Sequence, residues 1–510
     1  MALGTALSRL TGVARLAAMA YALGFTRLTD TYNLANTTPN IVYELLLGGV
    51  LSATLVPVFV DYRDRSDDEA TSAVVTMAGV FLVALTVVGV LAAPAIVHLY
   101  TLRLEPASAA AQQEVATALL RLFMPQMLFY GVTALATALL NAHRRYAVPA
   151  FTPVLNNVLV TAVFLVLPHL AGGTPTLEGV RHDTGLLMLL GLGTTAGIAA
   201  MALPLLPALR LAGIRLRPVV NWRHPAVRKL VRLSGWTAGY VASNQLAFWL
   251  VLVLANGIPG GVSAYTGAYM FFQLPHGLVA VSLMTTLAPE LAGAAGRADL
   301  TEFRRQFALG LRLMTLVILP AAAGYVVLSR PVVALLLQRG AFTGASTNLT
   351  AGTLVGLAVG LLPFSLYLFA LRGFYSFHDT RTPFYLNLFE NGLNIVLALA
   401  LEPWLGVQGL ALAFSVAYAV AAVVALRSLG RRTGGIAVPH LFAALARISA
   451  AALVMTGAVA VAVQLFPAGT PPAVTVVAGL LVGVAVYGAA LAALRVREVA
   501  ELLDQRRARR

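Results

Sequence analysis

The chain has 510 residues, of which 59% are hydrophobic and only 11% are charged, and its mean hydropathy is +0.83. This composition excludes an ordinary soluble domain, in which about 25% of residues are charged. The net charge of +15 does not indicate DNA binding, because most arginines fall in connections between apolar segments. Cysteine is absent, which excludes disulfides and thiolate metal sites.

Long apolar runs recur along the whole chain, each near the roughly 20 residues that a helix needs to cross about 30 Å of hydrocarbon. Continuous runs of this length favour a helical bundle over a β-barrel. Residues 331–338 are apolar but too short to cross, so they predict an external half-helix. The prediction is an all-α polytopic membrane protein with about fourteen transmembrane helices, at 5–26, 34–60, 73–99, 114–140, 150–170, 185–208, 228–255, 263–291, 306–328, 348–375, 383–402, 407–427, 441–466 and 472–494.

The distribution of arginine predicts the orientation in the membrane. Arginine clusters occupy alternate connections, and by the positive-inside rule that side is cytoplasmic and holds both termini. The same clusters predict a surface for anionic lipid headgroups. The first apolar run carries Arg9 and Arg15 and no cleavage pattern follows it, so we interpret it as span 1 rather than a signal peptide.

The first twelve predicted spans consist of two similar halves, at an offset of about 235 residues. A polar stretch with Pro39 leads to Pro57 in the first half, and a similar stretch with Pro275 leads to Pro289 in the second. Six spans per copy predict two pseudo-symmetric lobes with a cavity between them. The expected parts are an N-lobe over 1–215, a C-lobe over 216–432, two further helices over 433–496 and a basic cytoplasmic tail over 497–510.

Charged residues inside the first two spans indicate a polar pathway. A charge facing lipid at a helix centre costs about 2.5–3.5 kcal/mol, so Arg9, Arg15 and Glu44 are expected to face water or a partner. The planar guanidinium suits phosphate, which makes both arginines candidate anion ligands. The alternative for Arg9, and also for the deeper Arg15, is an anchor that reaches the cytoplasmic headgroups. Glu44 is a candidate partner of an arginine or a proton or cation site.

Two spans combine polar residues with helix-bending residues. In span 2, Asn40 and Glu44 are cavity candidates, and a gating hinge is predicted at Pro39, Gly48 and Gly49. Close helix packing is the alternative for the two glycines. Span 8 has cavity candidates Gln273 and His276 and hinge candidates Pro275 and Gly277, and hydrogen bonding at a helix interface is the alternative for His276.

Spans 10 and 11 supply the remaining candidates. Arg372 lies in span 10 and is a further cavity candidate. In span 11 the spacing of Asn387, Glu390, Asn391 and Asn394 places oxygen-bearing side chains on nearby helix faces, a candidate site for Na⁺ or a proton. Interhelical hydrogen bonding is the alternative. No other cofactor or metal is predicted, and the absence of Walker, HExxH, GxSxG and paired-aspartate motifs argues against an enzyme.

Specific motifs resemble those of the MurJ (MviN) lipid II flippases, a family of the multidrug/oligosaccharidyl-lipid/polysaccharide (MOP) exporter superfamily. They are Ser8-Arg9-Leu-Thr-Gly12-Val-Ala-Arg15, Thr29-Asp30, Pro39-Asn40, Leu55-Val-Pro57, Gln273-Leu-Pro275 and Asp379-Thr-Arg381-Thr-Pro383. The resemblance covers essentially the whole chain, and its versions Asn36-Thr-Thr-Pro39-Asn40 and Phe389-Glu390-Asn391 look actinobacterial.

The resemblance implies two six-helix lobes around a cationic cavity, with a groove for the lipid tail in 433–496. It implies movement of undecaprenyl-diphosphate-linked peptidoglycan precursor, lipid II, to the outer leaflet of the bacterial plasma membrane. Arg9, Arg15 and Asp30 match the family's cavity positions. For Asp30 the alternative is an external salt-bridged turn with Arg27. Three positions depart from it: an acid is replaced by Leu16, and two arginines of other members fall near Tyr43 and Met270.

Other functions remain open from the sequence. One is export of another lipid-linked oligosaccharide, or cation-coupled drug antiport, although twelve spans are usual for such proteins. Another is a membrane enzyme or a scaffold for cell-wall synthesis proteins, which are also candidate partners of a flippase. No nucleic-acid partner is expected.

Overall fold

The computed structural model describes residues 2–44, 55–436, 441–467 and 469–496, and every regular element in these ranges is a helix. This confirms the predicted all-α class. The chain forms two compact units, the first from Met1–Ser263 with Leu337–Thr343 and the second from Ala264–Leu336 with Gly344–Arg510. The division into lobes that was predicted from the sequence stays a prediction.

The first unit contains helices α1 to α11 and the start of α12. Their bounds are α1 Ala2–Leu23, α2 Arg27–Tyr43, α3 Val56–Asp64, α4 Asp68–Tyr100, α5 Pro106–Phe123, α6 Gln126–Ala142, α7 Ala147–Leu170, α8 Leu177–His182, α9 Thr184–Ala202, α10 Leu205–Leu211, α11 Pro225–Asn256 and α12 Gly261–Pro275. Helix α1 packs on α7, and α7 packs on α9.

Local sequence explains where these helices begin and how closely they approach. The Asp67 carboxylate accepts a hydrogen bond from the Ala70 amide at 2.9 Å and starts α4, and Asp183 caps α9 in the same way. Gly4 allows α1 to approach α7, since an added Cβ would lie 2.7 Å from the Ala150 carbonyl oxygen. These contacts fix the orientation of α1, which carries two of the predicted site residues.

The second unit contains the rest of α12, a π-helical turn at His276–Ala280, and α13 to α19. The bounds are α13 Val281–Gly296, α14 Leu300–Leu337, α15 Gly344–Val359, α16 Leu361–Ser376, α17 Arg381–Thr433, α18 Leu441–Gln464 and α19 Pro472–Ala493. Helix α17 is broken at Gly406, whose φ of 58° and ψ of −137° are not helical. Because only glycine adopts such angles readily, this residue joins the two halves of α17.

The exact number of fourteen spans is not confirmed. Ten helices in the described ranges are long and apolar enough to cross a membrane, or eleven if α15 and α16, bent by 43°, form one span. Helix α17 counts once although it covers two predicted spans. The half-helix predicted at 331–338 is wrong, because α14 continues to Leu337 through Pro331, a residue that a helix tolerates at the cost of one hydrogen bond.

Candidate functional site

Helix α1 carries Arg9 and Arg15 on different faces. The Asn157 side chain of α7 donates hydrogen bonds to the Ser8 carbonyl oxygen at 3.1 Å and to Thr11 Oγ1 at 3.0 Å, which fixes this turn of α1. At 3.6 residues per turn, Arg15 lies within about 40° of Thr11, whereas Arg9 lies about 160° from it. Accordingly, Arg15 is half-buried and Arg9 is exposed.

The side chain of Arg15 is partly shielded from solvent. It lies within electrostatic range of Tyr32, whose buried hydroxyl forms a 3.0 Å hydrogen bond with Thr194 Oγ1. Neither Arg15 nor Arg9 forms an ion pair within the described ranges. A half-buried guanidinium without a paired acid is suited to bind an external anion.

The carboxylate of Asp30 is fully buried and joins α2 to the start of α12. Its Oδ2 accepts a hydrogen bond from the Gly260 amide at 2.7 Å, and its Oδ1 accepts from the Ser263 amide at 2.9 Å and from Ser263 Oγ at 2.7 Å. An anion at the N-terminus of a helix is favoured by the helix dipole. Asp30 thus holds the start of α12, and its predicted part in substrate binding stays a prediction.

Arg27, one turn before Asp30, binds the other end of the same connection. Its guanidinium donates to the carbonyl oxygens of Asn256 and Gly257, where α11 ends, and a cation is favoured there by the dipole. The Asn256 side chain is fully buried, accepts from Gln112 Nε2 at 2.9 Å and donates to the Tyr100 carbonyl oxygen at 3.1 Å. The first turn of α2 therefore holds both helix ends of the 256–261 connection, and we call Arg27 and Asp30 with this connection the α2 latch.

The other span 2 candidates lie further along α2. Asn40 Nδ2 donates to the Asn36 carbonyl oxygen at 3.0 Å, Pro39 is buried inside the helix, and Glu44 is exposed. Gly48 and Gly49, the predicted hinge glycines, lie outside the described residues.

The span 8 candidates lie at the junction of α12 with the π-helical turn. Gln273 Nε2 donates to the Tyr269 hydroxyl at 2.8 Å. His276 is buried and its Nδ1 lies 3.0 Å from Ser365 Oγ, which donates to a main-chain carbonyl of α16 at 2.8 Å. The predicted hinge residues Pro275 and Gly277 flank His276 where the helix changes its hydrogen-bond pattern, a feature often found at functional sites.

Arg372 of α16 is exposed. It makes no ion pair in the part of the chain that the structure describes. It therefore remains available to an anion.

The four span 11 candidates form one stripe on the buried face of α17. Asn387 and Glu390 are fully buried, and Asn391 and Asn394 are 5% exposed. Neither carboxylate oxygen of Glu390 accepts a hydrogen bond of normal geometry in the described ranges, although the Tyr418 side chain lies beside it. A carboxylate without donors is costly to bury, so this position favours a protonated acid or a bound cation.

Sequence reasoning missed the partners of the latch. Gly260 and Ser263 lie about 230 positions from Asp30 in the sequence, and spacing arguments do not connect such distant positions. The available signal was the turn-rich stretch Asn256-Gly-Ile-Pro-Gly-Gly261 between two apolar runs, which predicts a tight connection.

Comparison with known proteins decides the family. The model of the lipid II flippase MurJ family matches residues 19–476. The chain belongs to this family. A probable lipid II flippase MurJ of Rhizobium meliloti is 30% identical over 90% of the chain and 84% of that protein. Another from Vibrio cholerae is 29% identical over 89% of the chain and 86% of that protein.

Solved structures show the same fold in MurJ and in related transporters. A lipid II flippase MurJ in an inward closed conformation matches with a TM-score of 0.79 at 20% identity, covering 98% of this chain and 99% of that chain. An inward-facing multidrug resistance MATE transporter of the MOP superfamily matches with 0.68 at 14% identity, covering 85% and 99%. With its long apolar helices, this MurJ-family chain is a multi-pass membrane protein.

Proposed function

We propose that the protein moves lipid II from the inner to the outer leaflet of the bacterial cell membrane by alternating access. The observation that carries this proposal is the family match over residues 19–476. Drug antiport is less favoured, because the likeness to MATE transporters rests on the fold at 14% identity. In this proposal the chain lies in the plasma membrane with both termini in the cytoplasm, and it performs transport rather than catalysis.

The diphosphate of lipid II is the group that these arginines would bind, with Arg15 as the main ligand. Arg15 is half-buried and without an ion pair in the described ranges, and a guanidinium donates two parallel hydrogen bonds to phosphate. Arg9 and Arg372 are exposed cations that would add charge. The polar side chains of Asn40, Glu44, Gln273 and His276 are proposed to meet the saccharide-peptide part.

The α2 latch supports a gating role for the start of α2. Asp30 and Arg27 bind main-chain groups at both ends of the 256–261 connection, so α2 cannot tilt away from it without breaking these bonds. We propose that the latch forms and breaks during each transport cycle. Pro275, just before the π-helical turn, and Gly277, inside it, would absorb the accompanying bend.

Coupling to an ion is proposed for the buried stripe of α17. Outward movement of an anionic headgroup is favoured by an inside-negative potential by about 2.3 kcal/mol per charge per 100 mV. Glu390, fully buried beside Tyr418, would add to this by taking up H⁺ or Na⁺ together with Asn387, Asn391 and Asn394. Replacing Glu390→Gln should slow lipid II transport and reduce its response to the ion gradient, while Glu290→Gln, an exposed control, should change neither.

Complementation tests the proposed function. In a strain depleted of its own lipid II flippase, the wild-type chain should restore growth, and Arg15→Ala at equal membrane abundance should not. Arg121→Ala removes an exposed arginine of α5 in the same unit and serves as the matched control. Failure of the wild-type chain to restore growth would contradict lipid II transport, and full rescue by Arg15→Ala would contradict the binding site alone.

A further inference from the structure

The first unit has an apolar cleft of about 310 Å³ that none of the residues in the proposed function lines. This is about ten times the volume that a water molecule occupies in the liquid. At Gly79 of α4 an added Cβ would meet no atom within 4 Å, so the cleft is open at this point. Every lining residue is apolar, and the walls come from α4, α6 and the segment after α9, with Val75, Leu82, Leu135, Leu139 and Leu209 among them.

The segment that follows α9 closes the cytoplasmic end of this cleft, by the predicted topology. After α10 the chain runs without regular structure to α11, and Leu216 in this connection lines the cleft. The connection is fixed on α4, because the Arg217 amide donates to Ser72 Oγ at 3.2 Å and the Val219 amide donates to Thr76 Oγ1 at 3.1 Å. The position of Leu216 is therefore set by the fold.

Three arginines lie next to residues that line this end of the cleft. Arg210 lies one helical turn after Leu206, which lines the cleft, and Arg215 and Arg217 flank Leu216 in the sequence. All three side chains are exposed, and none forms an ion pair within the described ranges. A positive edge therefore borders an apolar space.

The five acids of residues 61–69, just before Ser72 in the sequence, do not cancel this charge. Asp61 pairs with Arg65 at 2.8 Å, Asp64 pairs with Arg63 at 2.6 Å, and Asp67 caps α4. The remaining acids there stand in the first turn of α4, where they complement the helix dipole: Asp68 and Glu69.

Exposed apolar side chains in the connection indicate that it lies at a membrane interface. Leu211, Val220 and Trp222 are 86%, 74% and 65% exposed, and the Arg223 guanidinium lies 4.7 Å from the centre of the Trp222 ring. Tryptophan and arginine together are typical of the headgroup level of a bilayer. In water, three such side chains would be costly to expose.

We propose that this cleft and its three arginines form a binding site for an acidic glycerophospholipid. One acyl chain would occupy the cleft along Gly79, and the phosphate diester would lie between Arg210, Arg215 and Arg217. Charge complementarity selects this occupant, because a zwitterionic lipid gains less from three unpaired cations. The site shares no residue with the proposed lipid II site and does not depend on it.

Binding of defined lipids to the purified full-length protein tests the proposal. The protein in a neutral detergent is titrated with phosphatidylglycerol or phosphatidylcholine of identical acyl chains, and bound lipids are counted by native mass spectrometry. The wild type should retain one phosphatidylglycerol tightly and bind phosphatidylcholine weakly. Gly79→Phe fills the cleft and should weaken phosphatidylglycerol binding. The double change Arg215→Gln with Arg217→Gln should weaken it on the order of 30-fold, about fivefold for each charge.

Matched controls separate a specific site from general attraction. Gly457→Phe adds the same side chain at a glycine of α18 with open space around it, and the pair Arg297→Gln with Arg431→Gln removes two charges from the second unit; both should bind as the wild type does. If Gly79→Phe does not fold, Leu216→Asp tests the site in an exposed connection. Undiminished phosphatidylglycerol binding by the folded cleft variant, equal loss in the controls, or equal binding of phosphatidylcholine by the wild type would each overturn the proposal.

Discussion

Replacing Asp30→Ala should loosen the start of α12 from α2. The change removes a buried acceptor of three hydrogen bonds, two of them from the main-chain amides of Gly260 and Ser263. Hydrogen bonds to a charged group contribute about 1.5–3 kcal/mol each, and such contributions are not additive. We therefore expect the local opening free energy of this connection to fall by about 3–5 kcal/mol.

Hydrogen–deuterium exchange of the purified protein measures this effect directly. Every 1.4 kcal/mol is a factor of ten, so amide exchange in peptides covering residues 258–265 should accelerate at least about a hundredfold. Asp30→Asn should give a smaller acceleration, since its amide retains one accepting oxygen. Asp183→Ala removes the cap of α9 in the same unit and should leave 258–265 unchanged. Wild-type exchange at 258–265 in Asp30→Ala would refute the latch.

Two further predictions concern contacts at the helix ends. Burial alone would raise the pKa of Asp379, but hydrogen bonds from Thr382 and Arg432 outweigh it and lower the pKa below its usual value. The contribution of ionised Asp379 to the free energy of unfolding is therefore complete above about pH 4 and is lost as the pH falls through the lowered pKa. This contribution should stay below about 1 kcal/mol because Arg432 is partly exposed. An Arg432→Gln protein whose thermal midpoint shows the same acid dependence as the wild type would argue against this pair. Gly340→Ala should lower the thermal midpoint more than Gly172→Ala, because both have positive φ but only Gly340 would place its Cβ 2.5 Å from another residue; equal losses would contradict this packing.

Much of the fold follows from the apolar runs, because a helix that crosses hydrocarbon needs about 20 apolar residues and leaves a plain signal. A helix lies over each predicted span in the described ranges. What the sequence could not give is how consecutive helices join. The half-helix expected at 331–338 belongs to α14, and the break in α17 depends on the backbone angles of Gly406, which composition does not report.

The candidate site was predictable where charge or spacing within one helix carried the signal. The spacing in span 11 predicted nearby faces, and the structure buries all four of its polar residues on one stripe. The positions of Arg9 and Arg15 in α1 were evident, but the hydrogen bonds of Asn157 that fix this turn join residues about 150 positions apart. Asp30 illustrates the same limit, since its partners begin another helix.

The most direct test of the account is a leaflet-resolved assay of lipid II in cells whose only flippase is this chain. An impermeant enzyme that cleaves lipid II from outside reports the fraction in the outer leaflet. We predict that the wild type and Arg121→Ala expose lipid II to the enzyme, and that Arg15→Ala at equal abundance leaves it protected. Lipid II that stays protected with the wild type, or is cleaved equally with Arg15→Ala, would contradict the claim that a half-buried guanidinium of α1 binds the diphosphate during transport.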